Sequence, residues 1–236
     1  MHKIKGKTAI ITGGTKGIGY GVAEALIAEG MNVAITGRTA DTVEAAAKKL
    51  GDKCLGLVAD VRDYEAQIKV VQDTEAKFGA VDAMIANAGV GHFASIGDMT
   101  PEQWNQTIDV NLTGVFYSTK ASLAALKKSE GYLITIASLA GTNFFAKGSA
   151  YNASKFGLVG FSQAVMMDVR DQGIKVSTIM PGSVSTHFNN NKPSDADSWK
   201  IQPEDIGKLV VDLLTMHPRT LPSKVEVRPA MPSKKK

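Results

Sequence analysis

Tyr151 and Lys155 stand four residues apart at the head of an apolar-periodic run: Phe156, Leu158, Val159, Phe161, Val165, Met166 and Val169. A helix over this run puts the two polar side chains on one face, one turn apart. A free phenol has a pKa of about 10 and is a poor acid or base at neutral pH. An ammonium a few ångströms away stabilises the phenolate and lowers that pKa. A tyrosine tuned in this way exchanges a proton with a carbonyl or alcohol oxygen. Ser138, upstream, is placed to offer the same oxygen a second hydrogen bond. Tyr-x-x-x-Lys also occurs on ordinary helices, so its meaning depends on the elements around it.

Those elements begin with Lys7 to Thr12, a short β-branched run that predicts a buried strand. Glycines follow at once, and Ile18, Val22, Leu26 and Ile27 then recur at helical spacing. Strand, glycine turn and helix form the context of a dinucleotide site. Gly13, Gly17 and Gly19 permit a tight turn and close approach to a pyrophosphate, and the helix start offers free N–H groups. A glycine turn without a ligand is the alternative.

Val33 to Thr36 predicts a second strand, followed by Gly37, Arg38 and Thr39. No acid stands at that strand end to meet a ribose 2′-hydroxyl. Arg38 and Lys16 instead suit a 2′-phosphate, with solvated surface cations as the plainer reading.

Further along, Cys54 to Ala59, Val81 to Ala86, Tyr132 to Ala137, Lys175 to Met180 and Val225 to Val227 predict the remaining strands. Helices are expected over Thr42 to Leu50, up to Phe78, after Pro101, after Tyr151, and over Pro203 to Met216. Asp60 ends the third strand, where it would serve as a helix N-cap or a ligand contact. Thr100, Pro101 and Gln103 read as a capping box with proline at the first helical position. Asn111 falls within the apolar period that follows, where an amide is a poor helix former. Ser138 falls at the carboxyl end of the fifth strand, where ligands sit in parallel sheets.

Thr12 to Gly19 (Thr-Gly-Gly-Thr-Lys-Gly-Ile-Gly), Asn87-Ala88-Gly89, Asn111-Leu112-Thr113-Gly114, Ser138 with Tyr151 and Lys155, and Pro181 to Thr186 (Pro-Gly-Ser-Val-Ser-Thr) occur in that order. Together they resemble the short-chain dehydrogenase/reductase family, closely over residues 5–186 and weakly beyond. The resemblance implies a single α/β domain, a Rossmann-type doubly wound seven-stranded parallel sheet. It implies NADP(H) as cofactor, held by Gly13, Thr15, Lys16, Gly17, Ile18, Gly19, Arg38, Asp60, Val61, Asn87, Ala88, Gly89, Tyr151, Lys155, Pro181, Gly182, Val184 and Thr186. In this pattern Asp60 meets the adenine edge, and Val184 and Thr186 meet the nicotinamide carboxamide.

The resemblance also implies catalysis by Asn111, Ser138, Tyr151 and Lys155: reversible reduction of a carbonyl, a ketone or a 3-oxoacyl group, to a secondary alcohol. Asn111 interrupts its helix and holds a water that relays protons. Residues 187–200 resemble a substrate lid, and 229–236 form a tail that departs from the family's usual glycine pair. Pairing of the helices near Pro101–Lys128 and Tyr151–Arg170 implies a homotetramer, with a dimer as the variant. Carrier-protein docking is disfavoured, because Ser129 and Gln172 stand where such relatives carry arginines. Reductases of small ketones, 3-hydroxy acids or sugars are the alternatives, and a dinucleotide-sensing module without turnover is the alternative from another class.

Composition bounds these readings. At 236 residues, with 44% hydrophobic and 21% charged residues, the chain is the size of one globular domain. A net charge of +4, part of it from Lys234 to Lys236, does not argue for nucleic acid. The single cysteine, Cys54, excludes an internal disulfide, and no apolar run reaches the length of a membrane span. A cytoplasmic protein with no membrane or nucleic-acid partner is the expectation. Scattered histidines and one cysteine predict no metal site. Ser138 lacks the Gly-x-Ser-x-Gly elbow of a hydrolase, and the glycine loop lacks the Gly-Lys-Ser/Thr of a P-loop. Phe93, Phe144, Phe145 and Phe188 are candidates for an apolar pocket wall.

Overall fold

Each short β-branched run forms a strand in the computed structural model, which describes residues 4–231. The strands are β1 (Thr8–Ile11), β2 (Asn32–Gly37), β3 (Cys54–Val58), β4 (Ala83–Ala86), β5 (Tyr132–Ile136), β6 (Lys175–Pro181) and β7 (Lys224–Val227). They form one sheet in the order β3-β2-β1-β4-β5-β6-β7, with every neighbouring pair parallel. Central strands of a parallel sheet are covered on both faces, which is why these runs read as continuous apolar stretches. Successive residues then serve opposite faces: Ile10, Met84 and Leu133 belong to one core, and Ile11, Ile85 and Ile134 to the other.

The helices are α1 (Gly17–Ala28), α2 (Ala40–Leu50), α3 (Tyr64–Phe78), α4 (Pro101–Ile108), α5 (Gly114–Ser129), α6 (Ser149–Val169) and α7 (Pro203–Thr215). Val22 and Leu26 of α1 share a core with Ile206 and Val210 of α7. Val70 and Val71 of α3, Leu126 of α5 and Val169 of α6 cover the opposite face. α1 and α7 approach closely because their contact is built of glycine. A Cβ on Gly21 would lie 2.8 Å from Pro203, and one on Gly207 would lie 2.6 Å from the Gly21 carbonyl oxygen.

Strand order reverses between β1 and β4, which opens a crevice at their carboxyl ends. The expected capping box is present: Thr100 accepts from the Gln103 N–H, and the Gln103 side chain accepts from the Thr100 N–H. Asp63, not Asp60, caps α3, accepting from the Ala66 N–H. Asp63, three residues further on, faces the first free N–H groups, whereas the Asp60 carboxylate is bound by Arg62. β7 pairs in register with β6 despite its unusual continuation. Residues 232–236 of the expected tail, with the terminal lysines, lie outside the described residues. No helix among the described residues is long and apolar enough to cross a membrane.

Candidate active site

The glycine loop leaves β1 and is held from behind by the turn that leaves β4. The buried Thr12 hydroxyl accepts from the Asn87 N–H at 3.0 Å and the Ala88 N–H at 3.1 Å. The Asn87 amide returns the link, donating to the carbonyls of Thr12 and Gly13 at 2.9 and 3.1 Å. Gly13 and Gly17 sit at φ +65° and +57°, where a side chain is strained. A Cβ on Gly19 would lie 2.5 Å from the Asn87 amide nitrogen. α1 therefore starts at a surface stripped of side chains. No side chain caps its N-terminus and its first turn carries no acid, which leaves N–H groups and a positive dipole end for an anion.

A cavity of about 670 Å³ runs from this loop to the ends of β5 and β6. Gly13, Thr15, Lys16, Gly17, Ile18, Arg38, Asp60, Val61, Asn87, Ala88, Gly89, Ser138, Tyr151, Lys155, Pro181, Gly182, Val184 and Thr186 all line it. Gly19 lies beneath the loop, and Asn111 lies behind Gly89. A Cβ on Gly89 would stand 3.4 Å from Asn111 Oδ1 and 3.8 Å from Lys155 Nζ, so that turn separates the two. No cluster able to hold a metal ion occurs among the described residues.

A nicotinamide dinucleotide fits what is present. The cradle has room only where glycines stand, the helix start is uncapped, and the buried Thr36 hydroxyl on the cavity wall has no partner among the described residues. The cavity is of ligand size. Gly37 fills a further role that sequence reading missed: a Cβ there would lie 2.8 Å from Thr15 and 2.9 Å from Val43. No acid stands there, and none fits without displacement. Arg38 is exposed and makes no ion pair among the described residues. Asp60 is taken by Arg62, which reaches its carboxylate at 2.6 and 3.1 Å, and this pairing holds the Asp60 carboxyl below its usual range.

Asn111 is fully buried at the centre of a π turn, Asp109–Thr113, between α4 and α5. The helix widens there because the amide is bound sideways to another backbone. Oδ1 accepts from the Val90 N–H at 2.8 Å, and Nδ2 donates to the Val90 carbonyl at 2.9 Å and the Ser154 hydroxyl at 3.0 Å. Ser154, between Tyr151 and Lys155, was not singled out in the sequence; its small hydroxyl in an apolar helix face was the available signal.

Tyr151 and Lys155 lie in the first turns of α6, as their spacing requires. Lys155 is 4% exposed, and its ammonium donates to the Ile136 carbonyl at 3.0 Å, 5.7 Å from the Tyr151 ring centre. Burial pushes the lysine pKa down to about 8. Burial pushes the Tyr151 phenol up, opposed by the Ser138 hydroxyl. The expected lowering of the phenol by Lys155 is therefore corrected for the protein alone: desolvation raises it, and the ammonium is turned to a carbonyl. Ser138 accepts from the Ala140 N–H at 3.1 Å, which holds its hydroxyl at the end of β5.

Phe93 and Phe188 pack against Tyr151 and Phe145 packs against Phe93, but Phe144 is 87% exposed and stands apart from them. His92 is held by Gln106 at 2.8 Å. Residues 187–200 form two short 3₁₀ turns, and Val184 bridges to Ile201.

The chain is similar to known proteins over most of its length. A family model described as short chain dehydrogenase matches residues 7–197. The chain is 34% identical over 206 residues to the 3-oxoacyl-(acyl-carrier-protein) reductase of Escherichia coli, covering 87% of this chain and 84% of that one. It is 36% identical over 187 residues to the D-beta-hydroxybutyrate dehydrogenase of Cupriavidus necator, covering 78% and 72%. The alcohol dehydrogenase of Thermococcus sibiricus, solved with 5-hydroxy-NADP, superposes with a TM-score of 0.89 at 27% identity over 95% of this chain and 97% of that one.

Proposed function

Because the chain belongs to the short-chain dehydrogenase/reductase family, oxidoreductases that act on carbonyl and alcohol groups with a nicotinamide dinucleotide, we propose that it is an NADPH-dependent carbonyl reductase. The observation that carries the proposal is the convergence of Ser138, Tyr151 and Lys155 on one end of a cavity whose other end holds Arg38 and Lys16.

When bound, NADPH supplies a hydride, two electrons and a proton, to the carbonyl carbon. Tyr151 gives the carbonyl oxygen its proton, and the Ser138 hydroxyl donates a hydrogen bond to the same oxygen, so a secondary alcohol results. A phenol pushed above its usual range is protonated at neutral pH, the form that reduction needs. Lys155 holds the ribose hydroxyls and steadies the phenolate left behind. Asn111 fixes the Val90 turn and the helix face of Ser154, and supports the return of a proton through Lys155 from solvent. The uncapped start of α1 takes the pyrophosphate, and Asp60 takes the adenine edge.

Preference for NADPH rests on Arg38 and Lys16, on the filled slot at Gly37, and on Asp60 being held by Arg62 rather than by Arg38. The name of the Thermococcus sibiricus complex, with a modified NADP, is in keeping with this choice. The experiment is to follow NADPH oxidation against a panel of neutral ketones, oxo acids and 3-oxoacyl thioesters. Tyr151→Phe removes the proton donor and lowers kcat by roughly 10²–10⁴-fold while cofactor affinity is kept. Near-normal turnover by that variant would sink the mechanism.

A further inference from the structure

We infer that the group beside the reacting carbonyl is an uncharged aryl or branched alkyl group, held among the rings of Phe93, Phe145 and Phe188. This rests on the carbonyl-reductase reading above and names the substrate class within it. Phe93 lies at the centre of the ring cluster. Its centroid is 5.4 Å from Tyr151, nearly edge-on, 5.9 Å from Phe145 and 6.5 Å from Phe188. Phe188 is also 5.7 Å from Tyr151. Two phenyl rings thus flank the reacting phenol, Phe188 on the cavity lining and Phe93 against both it and Tyr151, with Phe145 next to Phe93.

The wall is built into the backbone. A Cβ on Gly91 would lie 2.7 Å from Phe188 and 2.9 Å from Phe93, so both rings close over that glycine. A Cβ on Gly148 would lie 2.6 Å from Phe145. Asn152, next to Tyr151, pins the segment that carries Phe145. Its amide donates to the Ala140 and Asn143 carbonyls at 2.7 and 2.8 Å and accepts from the Phe145 N–H at 3.4 Å. Even so, Phe93 and Phe145 remain 37% and 48% exposed. Large rings fixed in place yet left open beside a reacting group are suited to receive an apolar ligand.

Charge points the same way. A short oxo acid needs a cation near Tyr151. Lys155 is turned to the Ile136 carbonyl, and Lys200 is paired with Asp197 at 2.6 Å. Arg38 and Lys16 belong to the far end of the cavity. His187, exposed at the rim, is the remaining basic group lining it among the described residues. A sugar would leave hydroxyls facing rings that neither donate nor accept, which costs binding.

The test compares kcat/KM for acetophenone, butanone, acetoacetate and a tetrulose with NADPH. The expected result is acetophenone above acetoacetate by about 10²-fold, with Phe93→Ala and Phe188→Ala each narrowing the ratio of acetophenone to butanone roughly tenfold. A preference for acetoacetate that His187→Ala removes would overturn the inference in favour of an acid site at the rim. Ratios unchanged in both phenylalanine variants would overturn it as well. If no carbonyl is reduced, the reductase reading fails, and saturation-transfer NMR with benzyl alcohol and 3-hydroxybutyrate still tests whether the rings of Phe93 and Phe188 take an apolar group. Transfer to the phenyl protons that Phe93→Ala abolishes upholds it; equal or greater transfer to 3-hydroxybutyrate refutes it.

Discussion

If Lys155 holds the cofactor as proposed, cofactor affinity depends on pH in a window where ordinary lysines do not titrate. Burial lowers its pKa from a usual 10.5 to about 8. The ammonium donates to ribose hydroxyls as proposed more strongly than the neutral amine does, and only the ammonium carries the charge that holds a phenolate. The charged fraction of the free protein then falls about tenfold between pH 7 and pH 9, and the apparent Kd for NADP⁺ weakens by up to the same factor. A lysine of ordinary pKa would weaken binding by only a few per cent. Tyr151 and Cys54 are both pushed upward, out of this window. Titration calorimetry at matched ionic strength measures the effect, with Lys155→Met as the control whose weak binding is flat with pH.

The same burial is a cost to folding. The folded lysine loses its proton near pH 8 and the unfolded one near 10.5, so the unfolded chain binds more protons between them. The full cost, about 3 kcal/mol, is present below pH 8 and fades as pH rises through that interval. Lys155→Met removes it but leaves the Ile136 carbonyl unpaired. The net gain is about 1–2 kcal/mol at neutral pH, a rise of roughly 3–6 °C in Tm. A Kd independent of pH from 7 to 9, or the same slope in Lys155→Met, refutes the reasoning.

Arg38→Asp should raise KM for NADPH strongly and shift preference towards NADH, whereas Gly37→Asp should lower Tm because its side chain meets Thr15 and Val43; steady-state kinetics and thermal melts separate the two. Thr12→Val keeps volume and removes the acceptor for two backbone N–H groups, so urea unfolding should show a loss of about 2–4 kcal/mol together with weaker NADPH binding; a loss under 1 kcal/mol would mean that water replaces the hydroxyl. The exposed Trp104, Phe116, Phe156 and Met167 on α4, α5 and α6 are expected to be covered in a homotetramer. Light scattering that reports a monomer at micromolar concentration would end that expectation.

What could be read beforehand divides along physical lines. The strands were legible because burial on both faces leaves unbroken runs such as Thr8–Ile11 and Tyr132–Ile136. The Thr100 capping box and the Tyr151–Lys155 spacing were legible because their geometry is local. Asn111 was recognisable as a misfit in a helix, but the π turn depends on Val90, distant in sequence. The direction of the Lys155 ammonium, the choice of Asp63 over Asp60 as cap, and the separation of Phe144 from the other phenylalanines are likewise outcomes of tertiary packing. Gly37 is the clearest instance: the sequence reveals the missing acid, and only the packed Thr15 and Val43 reveal why a side chain is unwelcome.

The π turn at Asp109–Thr113 has a bearing on how this chain tolerates changes in length. A turn of this kind holds one residue more than a regular helix needs. Deleting a single residue there would let α4 and α5 heal into one continuous helix, with better local hydrogen bonding. Each residue advances a helix by about 100°, so the healed helix would carry its amide away from Val90 and Ser154, or rotate the whole of α5 against α3. The spacing between Thr100 and Ser129 is therefore a ruler: a frame-preserving deletion that relieves the local backbone takes the misalignment out of the helix and puts it into the site.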